Sequence, residues 1–165
     1  MKMGDAIIVD ERVRNAAREY AELAAPRHKS FGRNPIRVID DIYRGKIGEI
    51  AYCMIAGISV SLLSMDKDNG VDPGYDVVHD GLKIDVKTTV TPLGSRRVVF
   101  NPDYAACDRY AIMTWNDPLK TAAYVCCMDK TLAFRAARCH NGIWFWDFCA
   151  DLDSLMQCGY IAESQ

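Results

Sequence analysis

The fold is decided by the stretch Gly74-Tyr75-Asp76-Val77-Val78-His79-Asp80-Gly81-Leu82-Lys83-Ile84-Asp85-Val86-Lys87-Thr88-Thr89-Val90. Apolar and charged residues alternate along its second half, which is the pattern of a strand with one buried face. Two strand-forming runs flank Asp80-Gly81, a dipeptide typical of a two-residue hairpin turn. The stretch therefore predicts an antiparallel hairpin with strands over residues 75–79 and 82–90.

The two-residue turn fixes which residues of this hairpin face each other. Counting back from the turn places Asp76 directly opposite Asp85, with Cβ atoms about 4.5–5.5 Å apart. Two like charges at that separation destabilise a sheet unless something offsets them, and Mg²⁺ or Mn²⁺ would do so. Because side chains alternate along a strand, Lys83 and Lys87 share a face with Asp85. The hairpin thus predicts an acidic pair with lysines beside it.

Each of these residues has a role in hydrolysing a phosphodiester bond. Carboxylates hold metal ions that bind the scissile phosphate and activate a water molecule. The Lys87 ammonium can neutralise charge on the phosphate or position the water. Glu49, between the small residues Gly48 and Ala51 of a predicted helix, is the candidate third carboxylate. Asp66 and Asp72, in a turn-rich segment, are alternative acidic ligands.

The rest of the chain surrounds the hairpin with helices and short strands. Apolar residues at helical spacing predict helices over residues 9–24, ended by Pro26, and 39–56, closed by Gly57. Shorter elements are predicted as strands at 97–100, 109–115, 122–128 and 143–146, a strand or helix end at 59–63, a helix at 131–138, a turn at 141–142 and a helical turn at 151–156. This succession predicts an α/β (α+β) fold, a single domain over residues 1–165 with a central mixed sheet flanked by helices.

The motif residues also carry a resemblance. Gly74-Tyr75-Asp76, followed by Ile84-Asp85-Val86-Lys87-Thr88-Thr89, resembles the core motif of the PD-(D/E)XK nuclease superfamily, which has the restriction-endonuclease-like fold. Upstream, Gly45-Lys46-Ile47-Gly48-Glu49 is similar to the glycine-flanked helical glutamate of many members. Cys107-Asp108-Arg109-Tyr110 resembles the lead-in to the strand after the motif. The resemblance covers about residues 43–115.

The resemblance implies a fold and a chemistry. The fold is an αβββαβ-type core around a mixed sheet, and the chemistry is Mg²⁺-dependent cleavage of DNA. Asp76, Asp85 and Glu49 would be the metal ligands, and Lys87 the catalytic lysine. One departure is Tyr75, which precedes Asp76 where the superfamily's name has proline; many members vary at that position.

Composition bounds the protein without pointing to nucleic acid. The formal net charge is −2, so any nucleic-acid-binding surface must be local. Seven cysteines, an odd number without a regular framework, predict reduced thiols rather than disulfides or a zinc site. No apolar run approaches the roughly 20 residues of a membrane helix, and the N-terminus lacks the features of a signal peptide. We therefore expect a cytoplasmic protein that does not enter the membrane.

Basic residues that can hold a phosphate backbone occur in three places: the loop after the first helix, the second helix, and the segment after the hairpin. The loop after the first helix is the strongest candidate as a group, because it gathers basic residues without an acidic one. The N-terminal helix and this loop occupy about residues 8–37. The full candidate set is Arg27, His28, Lys29, Arg33, Arg37, Arg44, Lys46, Arg96 and Arg97.

Trp144, Phe145 and Trp146 can stack on bases, but a role in the core or a subunit interface is favoured. His79 is expected to have a packing or turn role.

The sequence thus predicts a metal-dependent DNA endonuclease of restriction, junction-resolving or phage type, acting as a homodimer with Mg²⁺, for which Mn²⁺ may substitute. One alternative is a catalytically inactive nucleic-acid-binding module of the same fold. Another is a metal-dependent enzyme acting on a different phosphoester or a small molecule. Loss of cleavage on changing Asp85 or Lys87 separates the first hypothesis from the second.

Overall fold

The structure is a computed structural model, and it describes residues 1–2, 4–27, 34–59, 74–90, 96–100, 106–140 and 143–148. In these ranges the helices are α1 (Glu11–Ala24), α2 (Pro35–Ala56) and α3 (Lys130–Ala136), and a 3-10 turn covers Ala25–Arg27. The strands are β1 (Ala6–Ile8), β2 (Val77–His79), β3 (Leu82–Val90), β4 (Arg96–Phe100), β5 (Arg109–Asn116), β6 (Thr121–Asp129), β7 (Arg138–His140) and β8 (Ile143–Phe148). Of the element predicted at 59–63, residues 60–63 lie outside the described residues, as do the elements predicted at 141–142 and 151–156.

Helix α1 begins where its sequence offers a cap. The Asp10 carboxylate accepts a hydrogen bond of 2.8 Å from the Val13 N–H, which satisfies one of the unpaired donors of the first turn. The helix ends at Ala24, before the 3-10 turn that contains Pro26. The predicted helix over residues 9–24 is therefore confirmed to within two residues.

Helix α2 is the long helix that carries Glu49. The Asn34 side chain accepts a hydrogen bond from the Ile36 N–H, and Pro35 occupies the first turn, where its missing N–H costs nothing. Gly57 ends the helix in the left-handed conformation, with φ of 70°, as predicted. The prediction began four residues late, at residue 39, because it assigned Pro35 to the preceding loop.

The β2–β3 hairpin has the predicted register, with Val77 opposite Ile84 and His79 opposite Leu82. Asp80 and Gly81 both have positive φ, 51° and 78°, as a two-residue turn of type I′ requires. Strand β2 begins at Val77, two residues after the start of the predicted strand. Asp76 therefore precedes β2 instead of belonging to it.

The main sheet has five strands in the order β1-β6-β5-β3-β2. Strands β3 and β5 are parallel and the other pairs antiparallel, so the predicted mixed sheet is confirmed. A second sheet has the order β4-β8-β7. Strand β1 was not predicted, since three residues are too few to reveal a period. The helix predicted to end at residue 138 ends at Ala136 instead, because Arg138 begins β7.

The main sheet separates two apolar cores. On one face, Ile47 and Ala51 of α2 pack with Ile84 and Val86 of β3. On the other face, Tyr110 and Ile112 of β5 pack with Ala133 of α3 and with Val98 of β4. The sheet is thus flanked by helices, as predicted. Five cysteines among the described residues are free thiols, and three of them, Cys53, Cys107 and Cys126, are buried. No helix in the described ranges is long and apolar enough to cross a membrane.

Candidate active site

Asp76 lies at the point where β2 stops pairing with β3. Its backbone N–H donates to the Ile84 carbonyl at 2.8 Å. Its carboxylate oxygen Oδ2 accepts a hydrogen bond of 2.8 Å from the Val86 N–H. The Asp76 carboxylate thus accepts, from a backbone N–H of β3, a hydrogen bond of the kind that a neighbouring strand would otherwise accept. This bond fixes the Asp76 carboxylate against the middle of β3.

Asp85 and Lys87 project from the same face of β3, as strand alternation predicts. The Lys87 Nζ lies 2.8 Å from the Asp85 Oδ1, and the side chains are 28% and 13% exposed. Such a pair is largely withdrawn from water, so its charges interact more strongly than charges at the surface. Asp85 is therefore subject to burial and to the charges of both Lys87 and Asp76.

The pKa of Asp85 is raised to about 6. Burial is the largest cause, since it penalises the carboxylate form; the Lys87 ammonium opposes it, and the negative charge and hydrogen bonding of Asp76 add to it. The two carboxylates therefore lie close enough to repel each other. The predicted like-charge pair is present, although its members are not a regular cross-strand pair.

Glu49 projects from α2 and makes an ion pair with Lys46, one turn earlier. The Lys46 side chain is 4% exposed and that of Glu49 14%. The Lys46 ammonium also lies 4.5 Å from the centre of the Tyr20 ring on α1, a cation–π contact. The pair is thus enclosed between the two helices.

Glu49 and Asp76 both lie close enough to the buried thiol of Cys53 for their charges to act on it. The pKa of Cys53 is raised to about 12, first by burial and then by the negative charges of Glu49 and Asp76. Both carboxylates therefore act on the same part of α2.

The oxygen ligands available to the predicted metal are two adjacent carboxylates, with a third held in an ion pair. Among the described residues, no three His, Cys, Asp or Glu side chains converge as a metal-binding group. Asp76 and Asp85 form a pair, while Glu49 is held by Lys46. Mg²⁺ is commonly bound by one or two carboxylates together with water and substrate phosphates. The hard oxygen pair fits such an ion, and its mutual repulsion is what a cation would relieve. The alternative ligands Asp66 and Asp72 lie outside the described residues.

The arrangement of Asp76, Asp85 and Lys87 on one hairpin is the most specific feature of this chain. No protein-family model matches the sequence. No curated protein matches it either. The case for a function therefore depends on the geometry of the site and on the resemblance of its motif.

The candidate phosphate-binding residues are distributed unevenly in the structure. Arg27 ends the 3-10 turn and Arg37 lies in the first turn of α2, and both are exposed. Arg44 is half-buried, 3.6 Å from Asp41. Lys46 is buried against Tyr20, which does not fit a contact with a phosphate backbone. His28, Lys29 and Arg33 lie outside the described residues, and of Arg96 and Arg97 the structure describes only their backbone in β4.

Arg44 also lines a cleft of about 510 Å³ between α1, α2 and the far end of β3. Arg14 and Arg18, which the sequence analysis did not single out, line the same cleft. The Arg18 guanidinium binds the Asp40 carboxylate at 2.8 Å and that of Glu22 at 3.1 Å. Carboxylates pair with Arg18 and Arg44, and Asp40 and Asp117 also line the cleft, so it does not present a strongly positive surface.

Two other residues with predicted roles are placed clearly. The His79 Nδ1 lies 3.0 Å from the Tyr52 hydroxyl, and the two rings meet edge to face. The packing role predicted for His79 is therefore confirmed. Phe145 in β8 is buried, as expected for a strand with consecutive aromatic residues. The side chains of Trp144 and Trp146 lie outside what the structure describes.

Two contacts near the site were not found by sequence reasoning. Tyr75 lies under the Lys83 ammonium, 5.3 Å from ring centre to Nζ. Alternation along β3 had placed Lys83 on the site's face, but nothing in the sequence indicated its aromatic partner. The contact of Lys46 with Tyr20 joins residues on different helices, so it depends on how α1 packs against α2. Neither partner is recognisable from spacing alone.

Proposed function

We propose that the chain is a metal-dependent endonuclease that hydrolyses phosphodiester bonds in DNA. The observation that carries the proposal is the largely buried Asp85, which lies close to a second carboxylate, Asp76, and to the ammonium of Lys87. A fold gains no stability from two adjacent, partly buried carboxylates, whereas a site for Mg²⁺ commonly uses one or two. The motif's resemblance to the PD-(D/E)XK superfamily supports the same chemistry.

The chain's own residues have distinct roles in this proposal. Asp76 and Asp85 would hold the metal, with Glu49 as a further ligand if its side chain turns away from Lys46. When bound, Mg²⁺ or Mn²⁺ supplies electrostatic stabilisation of the phosphate and lowers the pKa of a coordinated water. Lys87 orients the attacking water or donates a hydrogen bond to the phosphate oxygen on which charge increases. The hydrogen bond from Val86 keeps the Asp76 carboxylate in place.

We also propose that α2, the β2–β3 hairpin and the parallel strand β5 form a restriction-endonuclease-like core. The order of these elements along the chain supports it, as does the parallel pairing of β3 with β5.

The exposed Arg27 and Arg37 support a local contact with phosphates. The free thiols support a reducing compartment, and we place the enzyme in the cytoplasm.

The test is a cleavage assay on supercoiled, linear and branched DNA and on RNA, with Mg²⁺, Mn²⁺ or EDTA. We expect cleavage of DNA with either metal and none in EDTA. Asp85→Asn and Lys87→Met should lower the cleavage rate at least about 100-fold, since each removes an interaction made with the reacting groups. The matched controls are Asp117→Asn and Lys120→Met, which alter an exposed ion pair of similar length. Wild-type rates in either site variant would refute the proposal.

A homodimer remains part of the proposal, because cutting both strands of a duplex is naturally done by two sites related by a two-fold axis. Sedimentation or gel filtration with and without DNA tests this. A dimer is the expected result in the presence of DNA. A monomer under both conditions would refute the dimer without touching the chemistry of the single site.

The second candidate is a nucleic-acid-binding module that does not cleave. One observation favours it: within the described residues, only two of the three predicted carboxylates come together, while Glu49 is bound to Lys46. Such a module would bind DNA in a salt-dependent way and yield no product with any metal. The same cleavage assay, combined with a binding measurement, therefore separates the two candidates.

A further inference from the structure

Lys83 lies next to the candidate site on the same face of β3. It precedes Asp85 by two residues, which places the two about 7 Å apart along the strand. Its side chain is exposed, in contrast to the enclosed Asp85. A group bound near Asp85 that extends toward solvent in this direction would meet the Lys83 ammonium.

The backbone of Lys83 is held on both sides. It is paired with Val78 of β2. On the other side its N–H donates to the Asp108 carboxylate at 2.8 Å, and its carbonyl accepts from the Asp108 N–H, also at 2.8 Å. The base of the side chain is therefore fixed relative to Asp85, although its tip is exposed.

The Lys83 ammonium is oriented by an aromatic ring. Its Nζ lies 5.3 Å from the centre of the Tyr75 ring, and Tyr75 itself packs against the core beneath β5 and α3. Tyr75 immediately precedes Asp76, so one short segment positions both an acidic residue and this lysine. The contact restricts the motion of a long side chain without cancelling its charge.

The other lysines close to the site differ in this respect. The charge of Lys87 is balanced by Asp85 and that of Lys46 by Glu49. Within the described ranges, the contact of the Lys83 ammonium is with a ring and not with a carboxylate. Lys83 thus adds a positive charge beside the acidic pair that remains available to an anion.

We propose that Lys83, oriented by Tyr75, binds the substrate phosphate that neighbours the one hydrolysed at Asp76 and Asp85. This inference rests on the proposed function and narrows its substrate class. A site for a second phosphate fits a polynucleotide strand and does not fit a small phosphoester with a single phosphate. Tyr75 is a positioning residue here, since it acts through Lys83.

The experiment compares the DNA affinity of the full-length wild type with that of Lys83→Gln over a series of salt concentrations in EDTA, by fluorescence anisotropy. Loss of one phosphate contact should weaken binding several-fold at low salt and reduce the slope of log K against log salt by about 0.9. Lys120→Gln is the matched control, because its ammonium is already paired with Asp117 at 2.9 Å. It should leave both the affinity and the slope unchanged.

Variants of Tyr75 test the positioning. Tyr75→Phe keeps the ring and should retain wild-type affinity, whereas Tyr75→Leu should weaken binding and leave the salt slope nearly intact, since the charge remains. A Lys83→Gln slope equal to that of Lys120→Gln would overturn the inference, as would wild-type affinity in Tyr75→Leu. If either of these two results occurs while the wild type cleaves DNA, only the inference about Lys83 fails. If the wild type neither binds nor cleaves DNA, the proposed function fails with it.

Discussion

Asp85 is a carboxylate in an environment that disfavours its own charge. Burial and the nearby Asp76 carboxylate raise its pKa to about 6 from the usual 3.8, although Lys87 partly compensates. A raised pKa means that the folded protein holds the proton more tightly than the unfolded chain does. Protonation of Asp85 therefore stabilises the fold. This stabilisation is complete below about pH 4 and is lost as the pH rises through about 6.

Replacing this carboxyl with a neutral amide should reveal that cost. In EDTA, Asp85→Asn should be more stable than the wild type at pH 7–8 by about 1–2 kcal/mol, because a shift of one pKa unit corresponds to about 1.4 kcal/mol. The difference should shrink as the pH falls from 6 to 4. Urea unfolding at several pH values measures it. Asp117→Asn, at an exposed carboxylate, is the control and should change the free energy of unfolding little. A variant less stable than the wild type at pH 8 would contradict the argument.

The close contact between α2 and β3 is the feature of the secondary-structure elements that positions the site. A Cβ added at Gly48 would lie 1.8 Å from the Thr88 Oγ1 and 2.9 Å from the Thr88 Cβ. Only glycine allows the helix to lie this near the strand. Gly48 precedes Glu49 and Thr88 follows Lys87, so the contact sets the distance between helix and strand at the site.

Gly48→Ala should therefore damage both stability and activity. We expect a loss of about 1–3 kcal/mol in the free energy of unfolding, as for other overpacked cores, and a fall in cleavage rate even where the variant is fully folded. Thermal unfolding and the cleavage assay measure the two effects. Gly45→Ala is the control on the same helix, because a Cβ there meets nothing within 4 Å. It should stabilise the protein slightly, since alanine favours a helix. Equal stability of the two variants would show that the contact is not tight.

The same elements show how far the sequence determines the site. The hairpin follows from a two-residue turn and strict alternation, both local properties, so its register was predictable. Glu49 could be proposed from the motif, and the spacing places Lys46 one turn earlier on the same helical face, but such a spacing usually gives a solvated pair. Its burial depends on Tyr20 of α1, hence on how two helices pack. Similarly, the Asp76 carboxylate accepts a hydrogen bond from the Val86 N–H because regular pairing of β2 with β3 does not extend beyond Val77. The alternation of side chains does not predict where that pairing stops.

At the scale of the whole molecule, the site lies where the main sheet separates the two cores. The β2–β3 hairpin packs against α2 on one face, and Tyr75 and β5 contact the second core on the other. Residues from both sides therefore fix Asp76 and Asp85. Such a rigid scaffold keeps the carboxylates together in spite of their repulsion, so that binding a cation requires little rearrangement.

Metal binding should consequently stabilise the entire fold. A ligand that binds only the folded state raises the free energy of unfolding, and the increase grows with the logarithm of the ratio of ligand concentration to Kd. At a ligand concentration 100 times Kd the increase is about 2.7 kcal/mol. We expect Mg²⁺ or Mn²⁺ to raise the Tm of the wild type above its value in EDTA. In Asp76→Asn this rise should be abolished. The asparagine oxygen can still accept the Val86 hydrogen bond, so the variant should keep its fold in EDTA. Asp117→Asn should respond like the wild type, and an undiminished Tm rise in Asp76→Asn would place the cation elsewhere.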